Sequence, residues 1–332
     1  MTTNTKVVLK QRPNGTITSD CFAIEEETLP APSEGQVLLK VENISIDAWI
    51  TTTLREGGHH QGVPLGGTLT ALGIGRVISS GDGNLRQGDA VFGPVCAQSH
   101  MLAPAAMFKK LDESEAPASA HLGVLGLTTG VTAYVGLNSV GALSENDTVV
   151  VSAAAGAVGS VACEIARIKG AHVIGIAGGP EKVRYLVDDL GIAAGIDYKN
   201  EDVNERLQEL APEGVNLFFD NVGGDILDAV LANIAPAARV VICGAISQYQ
   251  HLDDVTGPKL YLRLAERNAS MRGFTVDYWS DDHPQAMTDL TRWLQEGKFH
   301  IKEHVVDGVE NFPEALLMLF SGGHTGKLMV NP

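Results

Sequence analysis

Only four cysteines occur in 332 residues, at Cys21, Cys96, Cys163 and Cys243, and none falls in a C-x-x-C pair. Scattered thiols give neither a disulfide framework nor a cysteine zinc cluster, and they suit a reducing cytoplasm. Positive charge is also scarce. Lys and Arg number 24 against 40 Asp and Glu, a net charge of −16. With no basic patch or tail, no nucleic-acid partner is expected, and the acidity reads as a solvated surface. No secretory-signal pattern opens the chain and no apolar run reaches membrane length, so no membrane role is expected either. Internal repeats and low-complexity segments are missing.

What is present is apolar residues, at 44%, in a chain long enough for two domains. Residues 1–110 are strand-rich and punctuated by glycine. Lys6–Lys10, Gln36–Ile46, Thr70–Ile78 and the end of Leu85–Phe92 read as strands, which together suggest a compact barrel-like β domain. The stretch from Ala116 to Asn138 is helical in period but broken by glycines, a bridge between domains. From Asp147 to about Phe274 strands alternate with helices, at Thr148–Ser152, His172–Ala177, Gly195–Asp197, Val215–Asp220, Arg239–Cys243 and Ser270–Val276. Such alternation means a parallel sheet covered on both faces. Pro284–Lys298 and Asn311–Phe320 read as helices, His304–Val306 and Lys327–Val330 as strands, and this tail is expected to return to the first domain.

The chain is organised around Val149 to Ser160, VVVSAAAGAVGS. A buried strand runs into a small-residue turn and then a helix, the arrangement that brings backbone and free helix N–H groups to a dinucleotide pyrophosphate. Ala154, Gly156 and Gly159 stand at the three places of G-x-G-x-x-G, with alanine in the first. The pattern alone also fits a tight turn with no ligand. The next strand ends in Ala177-Gly-Gly-Pro-Glu-Lys182, without the acid that bonds the ribose of NAD. A missing acid beside Lys182 suits the extra phosphate of NADP; the plainer reading of Lys182 is an exposed helix lysine.

With these segments in hand the sequence resembles the medium-chain dehydrogenase/reductase superfamily. Within it, the likeness is to the zinc-independent group of leukotriene B4 12-hydroxydehydrogenase, prostaglandin reductase and alkenal reductase. It is carried by residues 130–137 (GVTAYVGL), 153–160 (AAAGAVGS), 219–224 (FDNVGG), 243–249 (CGAISQY) and 271–274 (MRGF). The resemblance implies an α/β fold, a Rossmann doubly wound parallel sheet plus a GroES-like β-rich catalytic domain. The boundaries are 1–125 for the GroES-like domain, with 300–332 returning to it, and 126–299 for the Rossmann NADP-binding domain. It implies NADP(H) as cofactor, held between the two, and a homodimer.

The resemblance also assigns places. Gly156, Ala157, Val158 and Gly159 lie along the pyrophosphate, Lys182 meets the 2′-phosphate, and Tyr198 lies at the same adenosine end. Asn221 approaches the cofactor ribose. Cys243, Gly244, Ala245, Ile246, Ser247 and Tyr249 line the nicotinamide half. Phe274, Thr275 and Val276 pack near the nicotinamide, and Thr132 near its carboxamide. Each has a plainer reading too: Tyr198 as a loop tyrosine, Asn221 with Gly223-Gly224 as a capped turn, Gly244 as a strand terminator and Val276 as core.

Three positions depart from the group. Trp49 stands where relatives carry a tyrosine near the substrate, and it also reads as a core tryptophan. His324, in His324-Thr-Gly-Lys327, replaces an asparagine that bonds the cofactor. Glu266 replaces a tyrosine found in some relatives. No Gly-His-Glu run of the zinc alcohol dehydrogenases occurs, and His59-His60 reads as a glycine-rich loop with no metal. The expected activity is NADPH-dependent, metal-independent reduction of the C=C bond of an α,β-unsaturated ketone or aldehyde, with hydride added to the β-carbon. Tyr249 is the first candidate proton donor and Tyr261 the second, each also readable as an aromatic at a pocket edge. An NADPH quinone oxidoreductase and a non-catalytic NADPH-binding protein are the other readings.

Overall fold

The computed structural model describes residues 1–56, 60–250 and 255–332. The chain divides into two compact units, Met1–Leu122 with Glu303–Pro332, and Gly123–Lys302. Strands are numbered β1–β15 and helices α1–α8 along the chain.

In the first unit, β1 (Thr2–Leu9) and β2 (Phe22–Leu29) form an antiparallel hairpin in unbroken register from Thr2 opposite Leu29 to Leu9 opposite Phe22. The pattern of β2 is hidden in the sequence because Glu25, Glu26 and Glu27 are all exposed, so alternation gives no signal. The larger sheet contains β3 (Gln36–Ser45), β4 (Gly73–Ser80), β5 (Ala90–Gly93), β6 (His100–Pro104) and β7 (Lys109–Lys110). The chain end adds β14 (Glu303–Asp307), α8 (Phe312–Ser321) and β15 (Lys327–Asn331). The strand order is β14-β15-β3-β4-β5-β7, with β6 on β3. Val37, Leu39, Val41 and Ile44 of β3 are fully buried, and the core they join also holds Phe312 and Leu316 of α8.

A short 3₁₀ helix, Ala48–Leu54, follows β3. Three consecutive threonines make it possible. The hydroxyls of Thr51, Thr52 and Thr53 each donate to the carbonyl three residues back, on Ala48, Trp49 and Ile50, at 2.7 Å. Such side-chain bonds satisfy carbonyls that a single tight turn leaves open.

The second unit is a six-stranded sheet of β8 (Thr148–Ser152), β9 (His172–Ala177), β10 (Ala194–Asp197), β11 (Val215–Asp220), β12 (Ile234–Ile242) and β13 (Ser270–Gly273). Its order is β10-β9-β8-β11-β12-β13 and every pair is parallel. The connecting helices are α2 (Ala157–Ile168), α3 (Pro180–Arg184), α4 (Val203–Leu210), α5 (Gly224–Ala232) and α6 (Leu262–Glu266). Ahead of β8, α1 (Thr132–Val135) lies between the π-helical turns Leu127–Val131 and Gly136–Val140; after β13 comes α7 (His283–Gln295). All-parallel pairing leaves both sheet faces to be covered, which is why Val149, Val150 and Val151 are all fully buried without alternation.

Several boundaries differ from the sequence reading, among them β1, which begins at Thr2 rather than Lys6, β4, which spans Gly73–Ser80 rather than Thr70–Ile78, and two strands of the parallel sheet. β12 begins at Ile234 rather than Arg239, because Pro236 and the left-handed Ala237 (φ 59°) disguise its first half. β13 ends at Gly273 rather than Val276. Phe274 leaves the sheet to pack on Gly136, where a Cβ would lie 2.7 Å from its ring, and Val276 opens a 3₁₀ helix, Val276–Asp282. No helix among the described residues is long and apolar enough to cross a membrane.

Candidate active site

A doubly wound sheet binds ligands outside the carboxyl ends of its strands, where the strand order reverses. Here that point lies between β8 and β11, and it is tied by a compact network. Ser152 Oγ donates to Asp220 Oδ1 at 2.7 Å. Asn221 returns two bonds, from its backbone N–H to Ser152 Oγ and from Nδ2 to the Ser152 carbonyl, both at 2.8 Å. The Asp220 carboxylate also accepts from the N–H groups of Val222 and Gly223. Burial pushes the Asp220 carboxyl above its ordinary range against these donors. Asn221 therefore sits at the reversal point with its amide helping to hold the strand tips together.

After Ser152 the chain turns sharply. Ala153 is left-handed (φ 46°) and its carbonyl accepts from Gly156 N–H. A Cβ at Gly159 would lie 2.2 Å from that carbonyl, so only glycine lets α2 approach the loop. The alanine in the first glycine place, Ala154, has room because Gly175 faces it from β9; a Cβ on Gly175 would be 2.9 Å from the Ala154 methyl. The N-cap of α2 is Gly156, with no side-chain cap bond, so the first-turn N–H groups of Ala157, Val158 and Gly159 are left to an anion.

The tips of β9 and β10 lie side by side, Ala177 paired with Asp197. Gly178 is overlain by Tyr198 and Lys199, whose side chains would each be 2.9 Å from a Cβ there. Lys182 is near enough to Lys199 that burial first, and then the second cation, lower its pKa. Asp197 carries the acid that a strand tip could offer a ribose, but it is turned inward. Its oxygens accept from the N–H groups of Gly179 (2.7 Å) and Lys199 (3.1 Å) and from Asn200 Nδ2 (2.7 Å). Those bonds outweigh burial and keep the carboxyl below its usual range. Lys199 was not singled out from the sequence; its signal was a lysine adjoining Tyr198 at a strand tip.

Residues 243–249 turn back on themselves after β12. Cys243 and Gly244 donate to the Asp220 carbonyl and Ile246 to that of Asn221. Ser247 Oγ donates to the Val222 carbonyl at 2.6 Å. Tyr249 Oη accepts from Ala245 N–H at 3.2 Å and lies over Gly244, where a Cβ would be 3.1 Å away. Burial raises the pKa of Tyr249 and pushes the Cys243 thiol up to about 12, so both hold their protons at neutral pH.

The strand ends thus bring together Gly156 to Gly159, Lys182, Tyr198, Asn221 and residues 243–249, with Phe274 following directly on β13. Other candidates stand elsewhere. Thr132 donates its hydroxyl to the Leu127 carbonyl at 2.7 Å. Thr275 is exposed, and the Val276 carbonyl is 3.0 Å from His283 Nε2. Tyr261 is 57% exposed, immediately before α6. His324 belongs to the first unit, between α8 and β15. His59 and residues 251–254 lie outside the described residues. Among the described residues no three His, Cys, Asp or Glu side chains converge in a group that could hold a metal ion.

Comparison with known proteins agrees with this geometry. The family described as zinc-binding dehydrogenase matches residues 157–293, and the N-terminal domain of oxidoreductase matches residues 5–111. YfmJ of Bacillus subtilis (strain 168), named as an NADP-dependent oxidoreductase, is 40% identical over 98% of this chain and 96% of its own. The chain belongs to the medium-chain dehydrogenase/reductase superfamily, in its zinc-independent alkenal and prostaglandin reductase group. A 2-alkenal reductase (NADP(+)-dependent) of Nicotiana tabacum is 33% identical over 98% of this chain and 97% of its own. The crystal structure of CurA in complex with NADPH from Vibrio vulnificus is similar at a TM-score of 0.91, with 33% identity over 98% of both chains. The first unit is thus the GroES-like part and the second the Rossmann part of a reductase fold.

Proposed function

We propose that this NADP(H)-dependent oxidoreductase reduces the C=C bond of α,β-unsaturated ketones or aldehydes. The observation that carries the cofactor half of the reading is the pair Lys182 and Lys199 beside Tyr198, at strand tips where the Asp197 carboxylate is turned inward. Two cations and an aromatic face suit a 2′-phosphate and its adenine. The uncapped start of α2 suits the pyrophosphate. When bound, NADPH supplies a hydride, here to the β-carbon of the conjugated substrate.

Negative charge then grows on the carbonyl oxygen, and a proton must reach the α-carbon. The Tyr249 hydroxyl is the group we assign to that proton. It is anchored by the Ala245 N–H it accepts from, and burial keeps it protonated. Tyr261, largely exposed, is the weaker candidate. The relative active on alkenals supports the substrate class. An open sheet edge supports a homodimer: β13 ends the six-stranded sheet and all four of its residues are exposed, Met271 at 39%, and Leu262 of α6 is 61% exposed.

The test follows reduced-nicotinamide absorbance with enals, enones and quinones, using NADPH and NADH in parallel. Turnover of enals and enones with NADPH supports the reading. Turnover of quinones alone moves the activity to a quinone oxidoreductase, and NADPH binding without turnover to a binding protein.

A further inference from the structure

Asn14 is the one asparagine of the chain that is followed by glycine. It lies in the first unit, in the connection from β1 to β2. Asn14, Gly15 and Thr16 are exposed, while Pro13 before them and Ile17 after them are buried. The three residues therefore form a short bend pinned at both feet. Gly15 is left-handed (φ 78°), and a Cβ built on it would meet no heavy atom within 4 Å. Neither the Asn14 side-chain amide nor the Gly15 N–H has a hydrogen-bond partner among the described residues. The backbone nitrogen and the carboxamide are thus adjacent, unshielded by a side chain and held by no bond that would keep them apart.

Charge at the bend favours their reaction. Arg55, just past the 3₁₀ helix Ala48–Leu54, donates from Nη2 to the Gly15 carbonyl. A cation beside an ionising group stabilises its anion, here that of the Gly15 nitrogen. Arg12 braces the same helix end, donating from Nη1 to the Leu54 carbonyl at 3.1 Å, and it is paired with Glu56 at 3.4 Å. The bend and the end of the helix are therefore joined through two arginines.

We propose that Asn14-Gly15 is a self-modification site, at which the Gly15 amide nitrogen bonds to Asn14 Cγ and displaces the side-chain nitrogen. The proton of the Gly15 N–H leaves with the NH2 group as ammonia, and a five-membered succinimide remains. Water then adds to one of the two ring carbonyls and breaks its C–N bond. Opening at Cγ gives aspartate. Opening at the main-chain carbonyl gives isoaspartate, whose backbone runs through Cγ and is one methylene longer. One water is consumed and one ammonia released, with no change of oxidation state and no part for the cofactor. The new carboxylate arises beside Arg55. In the isoaspartate form the longer backbone also carries the Gly15 carbonyl off that guanidinium, which loosens the bend from the helix end. The proposal stands apart from the reading of the redox activity.

The experiment holds full-length protein in mildly alkaline buffer made with water enriched in oxygen-18 and maps its peptides over time by mass spectrometry. Isoaspartate is counted by methylation with an isoaspartyl methyltransferase. The Asn14 peptide exchanges NH2 for hydroxyl carrying the heavy oxygen several-fold faster than the peptides of Asn84 and Asn200, exposed asparagines followed by Leu85 and Glu201. Both aspartate and isoaspartate appear at Asn14. Arg55→Gln slows the exchange several-fold, and Asn14→Gln abolishes it at the site. The isoaspartate fraction, separated by ion exchange, shows faster amide hydrogen exchange over residues 48–56 than Asn14→Asp, which gains the charge without the extra methylene. Exchange at Asn14 no faster than at Asn84 and Asn200, or an unchanged rate in Arg55→Gln, overturns the proposal. Aspartate without isoaspartate shows direct hydrolysis and overturns the succinimide route. The comparison among asparagines needs no variant, so it decides the matter even where Arg55→Gln does not fold.

Discussion

Lys327 Nζ donates to Asp47 Oδ1 at 2.7 Å, with the lysine side chain 1% and the aspartate 9% exposed. The pair joins the last strand to the residue that precedes the helix bearing Trp49, 280 positions away in sequence. Removing one partner leaves a buried charge alone, so Asp47→Asn and Lys327→Met are each expected to cost about 3–5 kcal/mol. The double substitution should cost clearly less than their sum. Urea unfolding of the four proteins checks this; additive losses would show that the two groups do not act as a pair.

Lys182 and Lys199 should act together on cofactor choice. Lys182→Ala and Lys199→Ala are each expected to raise KM for NADPH about 10- to 100-fold, the scale of one charged hydrogen bond, and to leave NADH nearly unchanged. Steady-state kinetics with both cofactors reads it. Parallel losses with NADH would place the lysines away from the 2′-phosphate.

Gly159→Ala should fail in a different way. Its methyl would lie 2.2 Å from the Ala153 carbonyl, so α2 must retreat from the loop. Overpacking of this kind costs about 1–3 kcal/mol, and the displaced loop loses its approach to the pyrophosphate. Thermal melts in the presence and absence of NADPH separate the two losses: the variant melts lower, and added NADPH raises its Tm less than it raises that of the wild type.

Glu164, on α2, is fully buried and accepts from the His300 backbone N–H and from His300 Nδ1 at 3.0 Å, with Arg167 at 3.7 Å. Burial raises its pKa above the ordinary range of a glutamate, and the bonds from His300 and the charges of His300 and Arg167 only partly oppose this. A carboxyl raised on folding binds its proton more tightly in the native state. Its contribution is fully present below the unfolded pKa and is lost as pH climbs from there through the folded value. Relative to Glu164→Gln, the wild type should lose up to about 1.4 kcal/mol of stability per pH unit across that window. Urea unfolding of both proteins at a series of pH values is the check, and a constant difference would refute it.

The Rossmann strands were legible because a parallel sheet buries both faces. Val149–Val151 is an unbroken apolar run, Val173–Ala177 is interrupted only by Gly175, and the structure keeps the limits of the two strands at Thr148–Ser152 and His172–Ala177. β2 was not legible, since three exposed glutamates carry no period. Lys199 was passed over because its place against the tip of β9 depends on Gly178, just past that strand, whose lack of a side chain admits it. Trp49 could be noticed as a departure, but that its N–H meets no acceptor among the described residues is a fact of three dimensions. The ion pair of Asp47 and Lys327 likewise joins the two ends of one unit, and no local pattern announces it.

The inward turn of Asp197 bears on how cofactor preference can be changed. On the proposed assignment, discrimination is made by subtraction as much as by attraction: a carboxylate is present at the strand tips but three donors from Gly179, Lys199 and Asn200 occupy it. Deleting the lysines would make the enzyme indifferent to the 2′-phosphate without making it welcome a bare ribose. A switch to NADH needs a new acid grown on the β9 turn, because freeing the old one would unpick the loop that shapes the pocket.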